Sequence, residues 1–189
     1  DKAKLAKLVV MKSEFFRDMV DFEKSSLALR SRKLFTLSAF FNATADLIEG
    51  LATGNLEQDA QLARGFWESL AKEFPLWVQV REGRLASSEV RDGYIHGHGI
   101  ALQALGKAGN ALLKRYPSSW ADHLSKLGKI DWSRANAKLW EGRALIGGKV
   151  SKVTTNVILT TNVVKKALGL TLSVEEKKIE TARDQGGVI

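Results

Sequence analysis

Apolar residues recur every three to four positions along most of the chain, and this helical spacing limits the fold more than any other feature of the sequence. Residues 33–51 carry such a stripe and predict a mostly buried helix that ends near Gly50. Asn55, followed three residues later by Gln58, forms a capping-box pattern that predicts the start of the next helix. Pro75 ends or kinks that helix, because its ring clashes with the preceding turn.

The same spacing predicts helices in most of the remaining chain. Residues 76–84 fit either a continued helix or a short extended piece, and the sequence does not separate the two. A short helix begins at Ser118 or Ser119, and another begins at Asp131 or Ser133. The further helical segments are residues 2–20 (one or two helices), 95–113, 118–127, 131–139, 151–168 and 173–184.

Residues 153–164 are rich in β-branched side chains and could instead form a strand. Their apolar positions do not alternate, and Lys165 and Lys166 suit the C-terminus of a helix, so we favour the helix. Since strand signals are few elsewhere, the sequence predicts an all-α or mainly α fold, a multi-helix bundle of about seven to nine helices. We expect one helical domain over residues 1–185 and a flexible tail over 186–189.

Glycines are unusually frequent in the predicted helix of residues 95–113. Each costs a helix roughly 1 kcal/mol relative to alanine, so their presence calls for a reason. Gly106 and Gly109 have the spacing of a nucleic-acid clamp, but they lie within an apolar helical stripe. We therefore interpret them as points where another helix packs closely.

Composition excludes several classes of protein. The 189 residues include no cysteine, which excludes disulfide scaffolds, thiolate metal sites and cysteine nucleophiles. No apolar run approaches the roughly 18 residues of a membrane span, so we expect a soluble, cytoplasmic protein with no membrane partner. Because the chain begins at Asp1 rather than Met, inside a predicted helix, we expect it to be the C-terminal portion of a longer protein.

Positive charge is concentrated in the last two thirds of the chain. The formal net charge is +8, yet residues 1–63 carry nine basic and nine acidic side chains. Residues 126–166 carry nine basic side chains against two acids, Asp131 and Glu141. A local excess of this kind favours an anionic partner, so this stretch is the first candidate binding surface.

Two basic clusters supply candidate phosphate contacts. Gly147 and Gly148 precede a predicted helix start, where free N–H groups attract anions, and Lys149, Ser151 and Lys152 could add to such a site. The match to a phosphate-binding loop fails, since the lysine is displaced and no hydroxyl follows it. A plain helix start with solvated lysines remains the alternative.

Arg30, Arg32 and Lys33 form the second cluster, just before a predicted helix. Cations are unfavourable there unless Asp21, Glu23 or a DNA phosphate compensates them. Four tryptophans could stack on bases, but their helical spacing beside leucines favours the core. They are Trp67, Trp120, Trp132 and Trp140.

The sequence shows no catalytic set and no cofactor site. His96 and His98 lie two residues apart, which on a helix points them to different sides, so we interpret them as capping or surface histidines rather than metal ligands. No nucleophile–base set is apparent, so we expect no enzyme, no cofactor and no metal in this chain.

Three ordered stretches resemble the C-terminal half of the DndB family of DNA sulfur modification proteins, also called the DGQHR-domain family. They are residues 21–38, residues 98–106, and the set 130–134, 140–143 and 149–152. The likeness extends from about residue 15 to Glu180. The DGQHR motif belongs to the family's N-terminal half and is absent from these 189 residues, so that half's role is not carried over.

The resemblance implies a DNA-binding transcriptional regulator, a repressor, of the gene cluster for DNA phosphorothioation, associated with the modification machinery. Double-stranded DNA is then the first partner, with other DNA sulfur modification proteins and a second copy of the chain as further candidates. The alternative is a protein-interaction module without direct DNA contact. From the charges we expect phosphate contacts at Arg30, Arg32, Lys33, Arg134, Arg143, Lys149, Ser151 and Lys152.

Overall fold

A computed structural model describes residues 1–186 and shows a mainly α fold, as predicted. The α-helices are α1 Lys2–Lys12, α2 Leu37–Leu47, α3 Leu56–Ala71, α4 Pro75–Arg81, α5 Ser87–Gly93, α6 Gly99–Arg115, α7 Ala137–Trp140, α8 Thr154–Ala167 and α9 Val174–Asp184. Three 3-10 segments lie at Phe16–Asp18, Ile95–Gly97 and Trp120–Lys129. The strands are β1 Val20–Asp21, β2 Phe35–Thr36, β3 Leu145–Ile146 and β4 Lys149–Val150. Along residues 1–186, no helix is both long and apolar enough to cross a membrane.

Helix α6 lies at the centre of the fold and packs against α2 and against α8. Its two packing glycines have the role predicted from the sequence. A Cβ atom on Gly106 would overlap the carbonyl oxygen of Ala43 in α2, and one on Gly109 would overlap Phe66 and Leu47. The glycines therefore allow α6 to approach its neighbours more closely than alanines would.

Replacing Gly106 by alanine should destabilise the protein by about 1–3 kcal/mol, because the obstructing atom belongs to the backbone of α2 and cannot rotate away. Alanine favours the helix by roughly 1 kcal/mol, which offsets only part of this cost. Gly65 is the matched control, since it lies inside α3 with nothing within 4 Å of an added Cβ. In urea unfolding, Gly65→Ala should be neutral or stabilising; equal effects of the two changes would contradict the packing role.

Two short sheets hold loops in place. Strands β1 and β2 pair in parallel, Val20 with Phe35, and so close the base of the loop of residues 22–34. Strands β3 and β4 form an antiparallel hairpin whose turn is Gly147 and Gly148. Both glycines have positive φ, 56° and 74°, which non-glycine residues rarely adopt.

Several predicted boundaries need correction. The helix predicted at residue 33 begins at Leu37, because the preceding residues form β2. The helix predicted at Ser151 begins at Thr154, because β4 ends at Val150 and residues 151–153 belong to neither a helix nor a strand. Residues 76–81 are helical in α4, with Pro75 as its first residue, and residues 82–84 form a turn; α5 was not predicted. The segment predicted from residue 131 contains only the four-residue α7.

Three of the local predictions are confirmed. The side chain of Asn55 caps α3 by accepting from the N–H groups of Glu57 and Gln58, and Ser173 caps α9. The tryptophans lie in the core, with Trp67 and Trp140 fully buried. The tail predicted over residues 186–189 lies outside the described residues beyond Gly186.

Candidate nucleic-acid interface

The loop of residues 22–34 carries the first basic cluster and is fixed to the helical body by Arg91 of α5. The Arg91 guanidinium donates to the carbonyl oxygens of Lys33, at 3.0 Å, and Ala28, at 3.3 Å. Ser87 at the start of α5 donates to the carbonyl of Ser31. The loop backbone is thereby held against α5, with Arg30 and Arg32 exposed.

Arg134 fixes the second basic cluster to the same region. Its guanidinium donates to the carbonyl oxygen of Arg91, at 3.2 Å, and to that of Gly148 in the hairpin turn, at 2.9 Å. The backbone N–H of Arg134 donates to Gly93, and that of Ile95 donates to Trp132, so the segment is attached to the end of α5. Arg134 thus joins α5 to the hairpin that carries Lys149.

These contacts bring together two clusters that are more than a hundred residues apart in sequence. We call the resulting surface the basic face. Because Arg91 contacts both clusters through its side chain and its carbonyl oxygen, it is the centre of this surface. Its members are Arg30, Arg32, Lys33, Arg91, Arg134, Lys149 and Lys152.

A cleft of about 500 Å³ opens beside Arg91. Three parts of the chain form its walls: the loop of residues 22–34 with the start of α2, the start of α6, and β4 with the start of α8. Among its described lining residues are Arg91 and Lys152, and none is acidic. Since helix N-termini carry partial positive charge, the convergence of three of them adds to the attraction for anions.

Most positive charges of the basic face have no carboxylate close enough to neutralise them. Among residues 1–186, none lies within 4.0 Å of Arg30, Arg134, Lys149 or Lys152. The exposed Asp92 favours the charged form of Arg91 at longer range. The face can therefore offer several cations to phosphate groups.

The glycine pair does not form the helix-start anion site expected from the sequence. Its N–H groups, from Gly147 and Gly148, donate to the carboxylate of Glu141, so the chain supplies its own anion there. Ser151 is buried, lines the cleft and accepts from the N–H of Val153. Lys149 and Lys152 remain exposed on either side of it.

Arg143 needs a similar correction, because it is buried and already paired. Its guanidinium donates to both carboxylate oxygens of Glu180, at 2.5 and 2.7 Å, and to the carbonyl of Leu159. Burial opposes ionisation of Glu180, but hydrogen bonds from Arg143 and Asn162 outweigh it and hold the pKa below its ordinary value. Arg143 therefore anchors α9 and is omitted from the basic face.

Helix α9 also neutralises other cations of residues 126–166. Lys165 pairs with Glu176 at 2.8 Å, and Lys166 lies 3.6 Å from Glu180. With Arg143 included, three of the nine basic residues in that stretch face the glutamates of α9. Six basic residues of the stretch form no ion pair with a described carboxylate, and three of these, Arg134, Lys149 and Lys152, belong to the basic face.

Of the two neighbouring histidines, His98 lies at a helix cap as expected, whereas His96 does not lie at the surface. His96 is buried, not on the surface; its ring stacks on Tyr94, and its Nδ1 has no hydrogen-bond partner in the described part of the chain. His98 occupies the N-cap position of α6, and its Nε2 lies 2.6 Å from the carbonyl of Arg91. Burial, with the nearby Arg134 and Arg91, lowers the pKa of His98 from its ordinary value.

Burial lowers the pKa of His96 to about 4, and this predicts a pH-dependent stability. The unfolded chain, with an ordinary value of 6.5, takes up a proton that the folded protein does not. The free energy of unfolding should therefore be highest above pH 6.5 and fall by about 3 kcal/mol as the pH drops towards 4.

The variant His96→Phe removes the contribution of His96 to the pH dependence of the free energy of unfolding and leaves that of the carboxylates in place. Its stability, measured by urea unfolding at pH 7.0, 6.0 and 5.0, should decline less steeply than that of the wild type. Parallel curves for the two proteins would show that His96 is not the titrating group.

Arg91 and the cleft were missed by sequence reasoning. Arg91 lies between two acids, Glu89 and Asp92, and so carries no local sign of a basic surface. Within the described residues, no group of three or more His, Cys, Asp or Glu side chains could hold a metal ion. The groups that the basic face and the cleft present to a ligand are cations and hydrogen-bonding groups.

Comparison with known proteins gives one match. The model of the DndB family, described as DNA-sulfur modification-associated, matches residues 1–171. This span includes the whole basic face and ends before α9. Neither the curated proteins nor the solved structures contain a match to the chain.

Proposed function

This chain belongs to the DndB family, which is associated with DNA sulfur modification, and on that premise we propose that it binds DNA through the basic face. The proposed role is that of a regulator of the genes for DNA phosphorothioation, acting as a repressor with the other proteins of that system. The proposal gives the chain a binding role and no catalytic step.

The observation that carries the proposal is the meeting of two cation clusters without neutralising acids. Arg91 and Arg134 hold the loop and the hairpin to α5 through backbone carbonyls, which leaves Arg30, Lys149 and Lys152 free to contact phosphates. Phosphate contacts position a protein on DNA but do not read its sequence. We therefore expect this face to supply the sequence-independent part of the affinity.

Fluorescence anisotropy with a labelled duplex tests the proposal. At about 50 mM salt we expect saturable binding by the chain, with similar affinity for a promoter of the modification genes and for an unrelated duplex. A complete absence of binding at that salt concentration would exclude DNA binding by this chain.

Exposed apolar side chains on the same loop favour a second candidate, a protein-interaction module. Leu29 is 82% exposed and Phe22 is 41% exposed, so the loop presents two large apolar side chains to solvent. In this case Leu29→Ser would reduce co-purification with other proteins of the modification system and leave DNA affinity unchanged. The opposite pattern, with Lys149→Gln weakening DNA binding and Leu29→Ser without effect, would favour the first candidate.

A further inference from the structure

Arg91, which lines the cleft, is a cation without an ion pair to any described carboxylate. The guanidinium of Arg91 is half-buried and is bonded to the backbone carbonyls of Ala28 and Lys33. No described carboxylate forms an ion pair with it, and burial lowers its pKa from the ordinary value. Since removing a charge from water is costly, this arrangement points to an anionic group that completes the site.

The start of α6 supplies hydrogen-bond donors to the same space. His98, its N-cap residue, makes no side-chain cap bond, so the N–H groups of Gly99 and Ile100 in the first turn have no cap. All three residues line the cleft. Lys152 also lines the cleft, and within the described chain its ammonium group has no carboxylate partner. The cleft therefore offers two cations and uncapped N–H groups to a phosphate.

The rest of the cleft is too large and too apolar for phosphate alone. Leu27, Ala39 and Val150, which are partly exposed, contribute apolar surface to the walls. A volume of about 500 Å³ lies within the range of small-molecule sites. The amide of Asn42 also lines this space and can hydrogen-bond a polar edge of a ligand.

We propose that the cleft binds a phosphate-bearing ligand of nucleotide size. Its phosphate lies among Arg91, Lys152 and the start of α6, and its base or other apolar part lies against Leu27 and Val150. This goes beyond the proposed DNA-binding function, because it concerns the interior of the cleft. Lys149, by contrast, belongs to the basic face and does not line the cleft.

The variant Ser38→Glu tests the site without removing any contact of Arg91. Ser38 is exposed, lines the cleft and lies in the first turn of α2, where a carboxylate stabilises a helix. The new negative charge should repel phosphate and weaken binding of adenosine monophosphate at least tenfold in isothermal titration calorimetry. Val174→Glu is the matched control, since it adds the same charge to the first turn of α9, outside the cleft.

The proposal predicts saturable binding of adenosine monophosphate by the wild type and by Val174→Glu, and weaker binding of inorganic phosphate. Failure of the nucleotide to bind, equal binding by Ser38→Glu, or equally tight binding of inorganic phosphate would each overturn it.

Competition identifies the source of the nucleotide. Displacement of adenosine monophosphate by an oligonucleotide with an unpaired base would assign the site to DNA, and lack of displacement would assign it to a free nucleotide; both results support the site.

Lys149→Gln should weaken duplex binding and leave nucleotide binding unchanged. Failure of the DNA-binding proposal can therefore be distinguished from failure of the nucleotide-binding proposal.

Discussion

Replacing Arg143 by methionine is expected to lower the free energy of unfolding by about 3–5 kcal/mol. The side chains of Arg143 and Glu180 are only 8% and 9% exposed and are joined by two hydrogen bonds. Without the guanidinium, the Glu180 carboxylate stays buried with Asn162 and the more distant Lys166 as partners. Urea unfolding at pH 7 measures the loss.

An exposed ion pair provides the control for this prediction. Lys178 and Glu175 are 3.2 Å apart but 69% and 78% exposed, so Lys178→Met should change the stability by no more than about 0.5 kcal/mol. The double variant Arg143→Met/Glu180→Leu should recover part of the loss, because no charge is then left buried. If Arg143→Met costs no more than Lys178→Met, the buried pair does not anchor α9.

The second large effect concerns DNA affinity. The double variant Arg30→Gln/Lys149→Gln removes one cation from each cluster of the basic face. Each lost phosphate contact should weaken binding about eightfold at 0.1 M salt, so the pair should weaken it by between one and two orders of magnitude. Fluorescence anisotropy with a labelled duplex gives the two dissociation constants.

Folding should not be affected by these two changes, because both side chains are exposed and neither forms an ion pair with a described residue. Lys177→Gln/Lys178→Gln is the matched control; it removes two exposed lysines from α9, near the end of α8 that lies away from the cleft. An equal loss of affinity in the control would mean that net charge, not the basic face, governs binding.

Local signals predicted the parts of the fold that depend on local contacts. The caps at Asn55 and Ser173 form within one helical turn, and the sequence therefore located both helix starts correctly. The start of α2 was placed too early because β2 pairs with β1, and this contact between Phe35 and Val20 is distant in sequence. The apolar spacing of residues 33–51 gives no indication of that strand pairing.

In the candidate site, too, the sequence predicted what depends on local contacts and missed what depends on contacts distant in sequence. Charge counts identified the two basic clusters, but the carboxylate of Glu180, 37 residues from Arg143, decides which cations are available. The glycine pair has the same local pattern before a helix as in a hairpin turn, and the pairing of β3 with β4 selects the hairpin. Arg91, flanked by acids, becomes recognisable only when the loop and the hairpin meet around it.

The salt dependence of duplex binding tests most directly whether the two clusters act as one phosphate-binding surface. The logarithm of the association constant should fall linearly with the logarithm of the salt concentration, by about 0.9 for each phosphate neutralised. We predict that Arg30→Gln/Lys149→Gln makes the slope shallower by about 1.8, while Lys177→Gln/Lys178→Gln leaves it unchanged. A slope in the double variant equal to that of the wild type would contradict the account.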